Sequence, residues 1–162
     1  RNFPSGRMQI QECKDFIIFN DAYNANPYSF VKALQVVRKI PLRKIAVIGD
    51  MLELGKKSIY YHRVLANEIL KTKFDYVLTM GEYTPYLKEK LKELGYRRAF
   101  HFSSHKEIAQ FIKEKVPILS PHPSKKFSTS SSQNPKERRK CLIFLKGSRK
   151  MELGKVIDFL RV

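Results

Sequence analysis

Four short stretches of the chain are almost unbroken runs of apolar residues: DFIIFN at Asp15–Asn20, KIAVIG at Lys44–Gly49, FDYVLTM at Phe74–Met80 and CLIFLK at Cys141–Lys146. They are short and rich in β-branched and aromatic residues, which fits strands buried on both faces of a parallel sheet. RAFHF at Arg98–Phe102 is a weaker strand of the same kind, and RMQIQECK at Arg7–Lys14 alternates, as an edge strand does.

Between these runs the apolar period lengthens to that of a helix. Phe30, Leu34 and Val37 share one face, as do Tyr61, Leu65 and Ile69, and then Leu87, Leu91 and Leu94. Ile108 and Ile112 mark a fourth helix, and Val156, Ile157 and Leu160 a fifth. Start signals stand where they should. Asn26-Pro27 and Thr84-Pro85 each set a capping side chain before a proline suited to the first helical position, and Ser104 with Glu107 has capping-box spacing. Gly95 is a natural stop. Strands alternating with helices predict an α/β domain: a Rossmann-like, doubly wound, mostly parallel sheet of about six strands, one antiparallel edge strand and about five flanking helices.

Composition sharpens this picture at one place. SPHPSKKFSTSSSQNPKERRK at Ser120–Lys140 has almost no apolar content and is expected to be a mobile basic insertion within a single 162-residue domain. The chain carries 32 Lys and Arg against 15 Asp and Glu, a formal net charge of +17. Such an excess favours polyanionic partners, so a nucleic-acid-binding α/β module stands as the alternative from another class. Cys13 and Cys141 are far apart and fit reduced thiols of a cytoplasmic protein. No apolar run approaches the ~18 residues that cross a bilayer, and no His, Cys or acidic cluster has metal-ligand spacing.

In an open α/β sheet, ligands gather beyond the carboxyl ends of the strands. The first buried strand leads into Asn20-Asp21-Ala22-Tyr23-Asn24-Ala25-Asn26-Pro27, and the second into Gly49-Asp50-Met51-Leu52-Glu53-Leu54-Gly55. The third ends at Gly81-Glu82 and the last at Lys146-Gly147-Ser148-Arg149. Carboxylates there can accept from hydroxyls or amines while Lys and Arg neutralise phosphate. Two readings of Asp21, Asp50, Glu53, Lys146, Ser148 and Arg149 stay open: ligand contacts, or residues that shape turns. Arg7 and Asp21, as rim residues at strand ends, are expected to add little to folding. No G-x-x-x-x-G-K-[ST], G-x-G-x-x-G or G-x-S-x-G motif is present.

These strand ends resemble the Mur ligase family. NDAYNANP at Asn20–Pro27 is similar to the D-D-[SA]-Y-N-A-N-P signature of its D-alanyl-D-alanine-adding branch. GDMLELG at Gly49–Gly55 with His62, KGSR at Lys146–Arg149 and SGRM at Ser5–Met8 match three further motifs in order. The resemblance implies the C-terminal domain of a three-domain ATP-dependent ligase in peptidoglycan precursor synthesis. An N-terminal domain would hold the UDP portion of UDP-N-acetylmuramoyl-tripeptide, and a central domain the phosphate loop and most of the magnesium coordination. This domain would close over ATP and position the dipeptide, D-alanyl-D-alanine; alone it is expected to be inactive, and monomeric. By the same resemblance Arg7 would reach the terminal phosphate of ATP, Asp21 would bind the ribose, and Asn24 and Asn26 would shape that nucleotide edge. Asp50, Glu53, Lys146, Ser148 and Arg149 would face the dipeptide or the closed interdomain cleft. Another Mur or folylpolyglutamate-type ligase is the nearer alternative.

Overall fold

A computed structural model describes residues 6–116 and 140–162 of the chain. Six strands form one sheet: β1 (Gln9–Cys13), β2 (Phe16–Asp21), β3 (Lys44–Gly49), β4 (Tyr76–Met80), β5 (Ala99–His101) and β6 (Cys141–Lys146). Their order is β1-β2-β6-β3-β4-β5, with β1 antiparallel to β2 and all other neighbours parallel. Five helices connect or follow them: α1 (Pro27–Arg38), α2 (Ser58–Thr72), α3 (Thr84–Glu93), α4 (His105–Lys115) and α5 (Gly154–Leu160). The predicted architecture is the observed one. The basic stretch at 120–140 lies, apart from Lys140, outside the described residues.

Unbroken apolar runs were expected where both sheet faces are covered, and every residue of β3 and of β6 is buried. Side chains alternate between two cores. On one face Phe19, Ala46, Ile48 and Phe144 pack under α1, α2 and α3 through Phe30, Leu34, Leu65, Ile69 and Leu87. On the other, Ile18, Ile45, Val47 and Leu145 meet Ile108 and Ile112 of α4 and Val156 and Leu160 of α5. β1 pairs on one side only, and its Ile10 is exposed, as an alternating edge strand dictates.

The helix starts divide. Asn26 caps α1 as expected: its side chain accepts from Ser29 N, and Ser29 Oγ accepts from Asn26 N, closing a reciprocal box. Ser104 Oγ likewise accepts from Glu107 N at α4. Thr84 does not cap α3. It is already helical, its buried hydroxyl has no partner among the described residues, and the cap comes from another strand end. His105, the first residue of α4, is half-buried with Nε2 2.8 Å from the Met151 carbonyl oxygen.

The position of β6 matters most for function. The chain leaves β2 for β3 and leaves a slot between them, which β6 fills last. The loops after β2, β6 and β3 therefore converge at one edge, the crevice where doubly wound sheets bind ligands.

Candidate functional site

Backbone approach brings these loops together. A Cβ at Gly147 would lie 2.8 Å from Gly49 Cα, so the loop after β6 can cross the end of β3 only as glycine. Ser148 then fixes the crossing: its Oγ accepts from Leu52 N at 2.8 Å and its own N–H donates to the Asp50 carbonyl oxygen at 2.8 Å.

Asp21 and Lys146 are register partners at the ends of β2 and β6. Lys146 is 1% exposed, and its Nζ donates to Asp21 Oδ2 at 2.6 Å and to the Asn24 carbonyl oxygen at 3.1 Å. Burial pulls this ammonium below the ordinary lysine range, while the hydrogen bond and charge of Asp21 push it back up. Asp21 Oδ1 accepts from Met8 N at 3.2 Å, and the Gly6 carbonyl oxygen accepts from Tyr23 N at 2.8 Å. The segment that carries Arg7 is thus tied on both sides to the end of β2. The Arg7 guanidinium sits 4.2 Å from the centre of the Tyr23 ring, and that of Arg149 5.4 Å from the same ring.

A groove of about 930 Å³ opens beside this cluster, between the Arg7–Asp21–Lys146 corner and the outer face of α1. Asn24 lines it, with Tyr28, Lys32 and Val36 one helical turn apart along α1. Tyr28 is 72% exposed, too much for a core residue, and Lys32 Nζ lies 5.4 Å from its ring centre. Tyr23 and Tyr28 were not singled out in the sequence. The signal was available, since Tyr28 and Lys32 fall opposite the apolar stripe of α1.

The end of β3 is built differently. Both Asp50 oxygens accept from backbone: Oδ2 from Glu82 N at 2.7 Å, Oδ1 from Tyr83 N at 2.9 Å and Thr84 N at 3.0 Å. Asp50 is 2% exposed and serves as the missing cap of α3. A Cβ on Gly81, which has φ 137°, would fall on the Asp50 carboxylate, so the loop after β4 reaches it only as glycine. His62, wholly buried, completes the arrangement: Nε2 accepts from Met51 N at 3.0 Å and Nδ1 lies 2.6 Å from the Ser58 carbonyl oxygen. Because an amide only donates and a carbonyl only accepts, the neutral Nδ1–H tautomer is required. Burial lowers its pKa, opposed by the Ser58 carbonyl and the Asp50 charge.

The sequence-predicted residues therefore separate. Arg7, Asp21, Asn24 and Lys146 line one groove, with Arg149 joined to them through Tyr23. Asn26 is committed to the α1 cap, Asp50 to α3 and Ser148 to the loop crossing. Glu53 is exposed, with φ 64° and no side-chain partner among the described residues. Asp21, expected to add little to folding, accepts from the buried Lys146 ammonium, while Asp50 takes the turn-shaping, helix-start alternative by accepting from the buried Thr84 amide. Among the described residues no group of His, Cys, Asp and Glu could hold a metal, and no helix is long and apolar enough to cross a membrane.

The fold and this edge define an α/β domain with fixed cations and a carboxylate beside a groove at the sheet's switch point. The chain belongs to the family described as Mur ligase, glutamate ligase domain, whose model matches residues 6–117. It is similar to the UDP-N-acetylmuramoyl-tripeptide--D-alanyl-D-alanine ligase of Rickettsia prowazekii, 30% identical over 155 residues, which span 95% of this chain and 29% of the relative. The ligase of the same name from Buchnera aphidicola subsp. Baizongia pistaciae is 31% identical over 111 residues, 68% of this chain and 23% of the relative. Among solved structures, MurF from Acinetobacter baumannii superposes with a TM-score of 0.75 at 23% identity, over 99% of this chain and 31% of that one. The MurF ligase from Thermotoga maritima, solved in complex with ADP, gives 0.73 at 20% identity over 99% and 31%. The structural matches establish the shared fold. The chain spans less than a third of the length of each of these proteins.

Proposed function

We propose that this domain is the C-terminal part of an ATP-dependent ligase that joins D-alanyl-D-alanine to UDP-N-acetylmuramoyl-tripeptide. One observation carries the reading: Arg7 and Asp21, from two separate sequence motifs, line one groove with Lys146 and Asn24, the Met8 N–H next to Arg7 donating to the Asp21 carboxylate. A nucleotide fits the donor set. Arg7 has no carboxylate partner among the described residues, and Asp21 keeps lone pairs beyond its two bonds. Asn24 and Tyr28 line the same groove, a polar group and an aromatic ring suited to a planar base.

When bound, ATP would supply the phosphoryl group that activates the tripeptide carboxylate for attack by the dipeptide amine. The work of this chain is to bind and orient. Asp21 accepts from the ribose hydroxyls, held in place by Lys146 and the Met8 amide. Arg7, stacked on the Tyr23 ring, presents a positive fork to the phosphate end, where charge builds up during transfer. Asn26 and Asp50 act indirectly, by fixing the starts of α1 and α3 at the rim. Glu53, on the exposed loop after β3, is the residue left to face the dipeptide or the neighbouring domain, with Ser148 setting the position of that loop. Magnesium and the phosphate loop belong to the central domain, and closure of the domains excludes water that would hydrolyse the activated carboxylate. The locus of such a reaction is the cytoplasm.

The test is kinetic and uses the complete three-domain enzyme, reading phosphate release that depends on D-alanyl-D-alanine. Asp21→Asn keeps a partner for Lys146 but weakens the charge-assisted bond to ribose, worth roughly 1.5–3 kcal/mol, and is expected to raise KM for ATP. Arg7→Ala is expected to lower kcat. Indifference to both substitutions would overturn the assignment.

A further inference from the structure

Positive charge gathers at the amino end of the sheet, away from the groove corner at Asp21. β2 to β6 run parallel, so α1 to α4 each return the chain to that end and finish there. Lys73 follows α2, Lys92 lies in the last turn of α3 and Lys113 in that of α4. Arg97 precedes β5, and Lys14 sits in the turn between β1 and β2. Lys14 Nζ and Lys113 Nζ both donate to the Val162 carbonyl oxygen, at 3.1 and 3.0 Å, so the ends of α4 and α5 meet the β1–β2 turn there. A cation at a helix's carboxyl end is ordinary, because it offsets the negative pole. That reason reaches neither Lys14 nor Arg97. Carboxylates do not explain the cluster either. Glu12, Glu68, Asp75 and Glu93 at this end are held by Lys140, Arg38, Arg43 and Arg63, which leaves Asp15, Glu114 and Asp158. Lys14, Lys73, Lys92, Arg97 and Lys113 are exposed and have no carboxylate within ion-pair distance among the described residues.

We infer that this amino end is a docking face for an anionic lipid bilayer. Two features favour lipid over nucleic acid. The cluster is mostly lysine, a compact point charge suited to a diffuse negative surface, where readers of nucleic-acid phosphates favour the bidentate fork of arginine. Exposed apolar side chains also stand at the same end: Leu94 after α3, 42% exposed, and Phe159 near the end of α5, 37% exposed. An aliphatic Leu94 gains nothing from a phosphate backbone, but it gains burial at the boundary between headgroups and acyl chains. β2 is six residues long, so its Asp21 end stands about 20 Å from this face, beyond a Debye length. Docking therefore leaves the Asp21 corner turned away from lipid, and the inference stands apart from the ligase reading.

The probe is extruded vesicles, either equimolar phosphatidylglycerol and phosphatidylcholine or phosphatidylcholine alone. They are mixed with this 162-residue chain at physiological ionic strength and separated by flotation, with Tm recorded for each variant. The chain is expected to float with the anionic vesicles and not with the neutral ones. Each cation near such a surface contributes about a fivefold gain, so Lys73→Gln/Lys92→Gln/Arg97→Gln/Lys113→Gln is expected to weaken partition by about a hundredfold or more. The control Lys56→Gln/Lys57→Gln/Lys106→Gln/Lys150→Gln removes the same charge from exposed positions at the carboxyl end and changes partition less than about fivefold. Leu94→Gln is expected to weaken flotation several-fold while leaving affinity for a random-sequence DNA duplex unchanged. Equal losses in the two fourfold variants would mean bulk charge, and flotation that neither alters would place the attraction elsewhere, as in the basic residues of 120–140. Either result overturns the proposal, as does a chain that never floats or a Leu94→Gln variant that floats like wild type. A duplex bound more tightly than vesicles at matched phosphate concentration, with that affinity lost in the amino-end variant, would make this a nucleic-acid surface instead.

Discussion

Asp21 and Asp50 occupy equivalent places, each just at or beyond the end of a buried parallel strand, in a loop that leads toward a helix. Their surroundings assign them opposite tasks. Asp50 gives both oxygens to three amides at the start of α3 and has little left for a ligand. Asp21 meets one amide and one ammonium, and it lines an open groove. The β3–β4 end is built as a keystone, and the β2–β6 end leaves its carboxylate on an open groove. Strand-end position alone cannot tell them apart; what decides is whether backbone N–H groups take up both oxygens, as at Asp50, or share them with a side-chain cation, as at Asp21.

The sharpest way to break this contrast is Asp50→Ala. Three charge-assisted bonds vanish and the first amides of α3 are left buried without acceptors. Each such bond is worth roughly 1.5–3 kcal/mol, but they are not additive, so the expected loss is about 3–5 kcal/mol in urea unfolding. A loss under about 1 kcal/mol would mean that water replaces the carboxylate and that Asp50 is no keystone.

Asp21→Ala is expected to cost somewhat less, about 3 kcal/mol, the scale for leaving one member of a buried pair unpaired. Lys146 is already shifted toward its neutral form by burial, so the penalty should shrink as pH rises and the orphaned ammonium gives up its proton. The double variant Asp21→Ala/Lys146→Met should recover part of the loss. Strict additivity of the two single changes would show that the pair is not coupled, and the site reading would lose its geometric anchor.

The architecture was legible because periodicity and burial report the same thing. The runs in β3 and β6 are apolar throughout since helices cover both faces, and the alternation in β1 marks an antiparallel strand at one edge of the sheet. The groups at the rim were legible as a list, because strand ends can be read from where apolar runs stop. Their tasks were not legible. Thr84 has the local signature of a cap, yet α3 is capped by Asp50, 34 residues away in sequence, a choice that only the β3–β4 pairing creates. Likewise Asp21 and Lys146 become partners only because β6 enters the slot beside β2, 125 residues on.

His62 probes the keystone side through pH. Its folded pKa lies below the unfolded value of about 6.5, chiefly from burial. The unfolded chain therefore takes up a proton first as pH falls. The contribution of neutral His62 is fully present above about pH 6.5 and is lost as pH descends through the folded value. Protonated Nε2 would point a hydrogen at the Met51 amide. The stability advantage of wild type over His62→Gln, measured by urea unfolding, is expected to shrink between pH 7 and pH 5. A constant difference would mean that His62 packs without holding the loop after β3.

Glu53 offers the smallest effect and the finest test of where site and scaffold divide. Its φ of 64° lies in the left-handed region, where a side chain costs about 1 kcal/mol relative to glycine. Nothing among the described residues compensates: the side chain is exposed and unpaired, and Gly55 two residues on takes a similar conformation with open space around it. Glu53→Gly relieves the strain but adds freedom to the unfolded chain, so stability should change by less than about 1 kcal/mol, toward a gain. Under the ligase reading Glu53 faces the dipeptide or the neighbouring domain. In the complete enzyme Glu53→Gly is therefore expected to raise KM for D-alanyl-D-alanine while the domain's unfolding midpoint holds or rises. If activity and stability are both unmoved, Glu53 is an ordinary turn residue, and the β3–β4 end contributes scaffold alone.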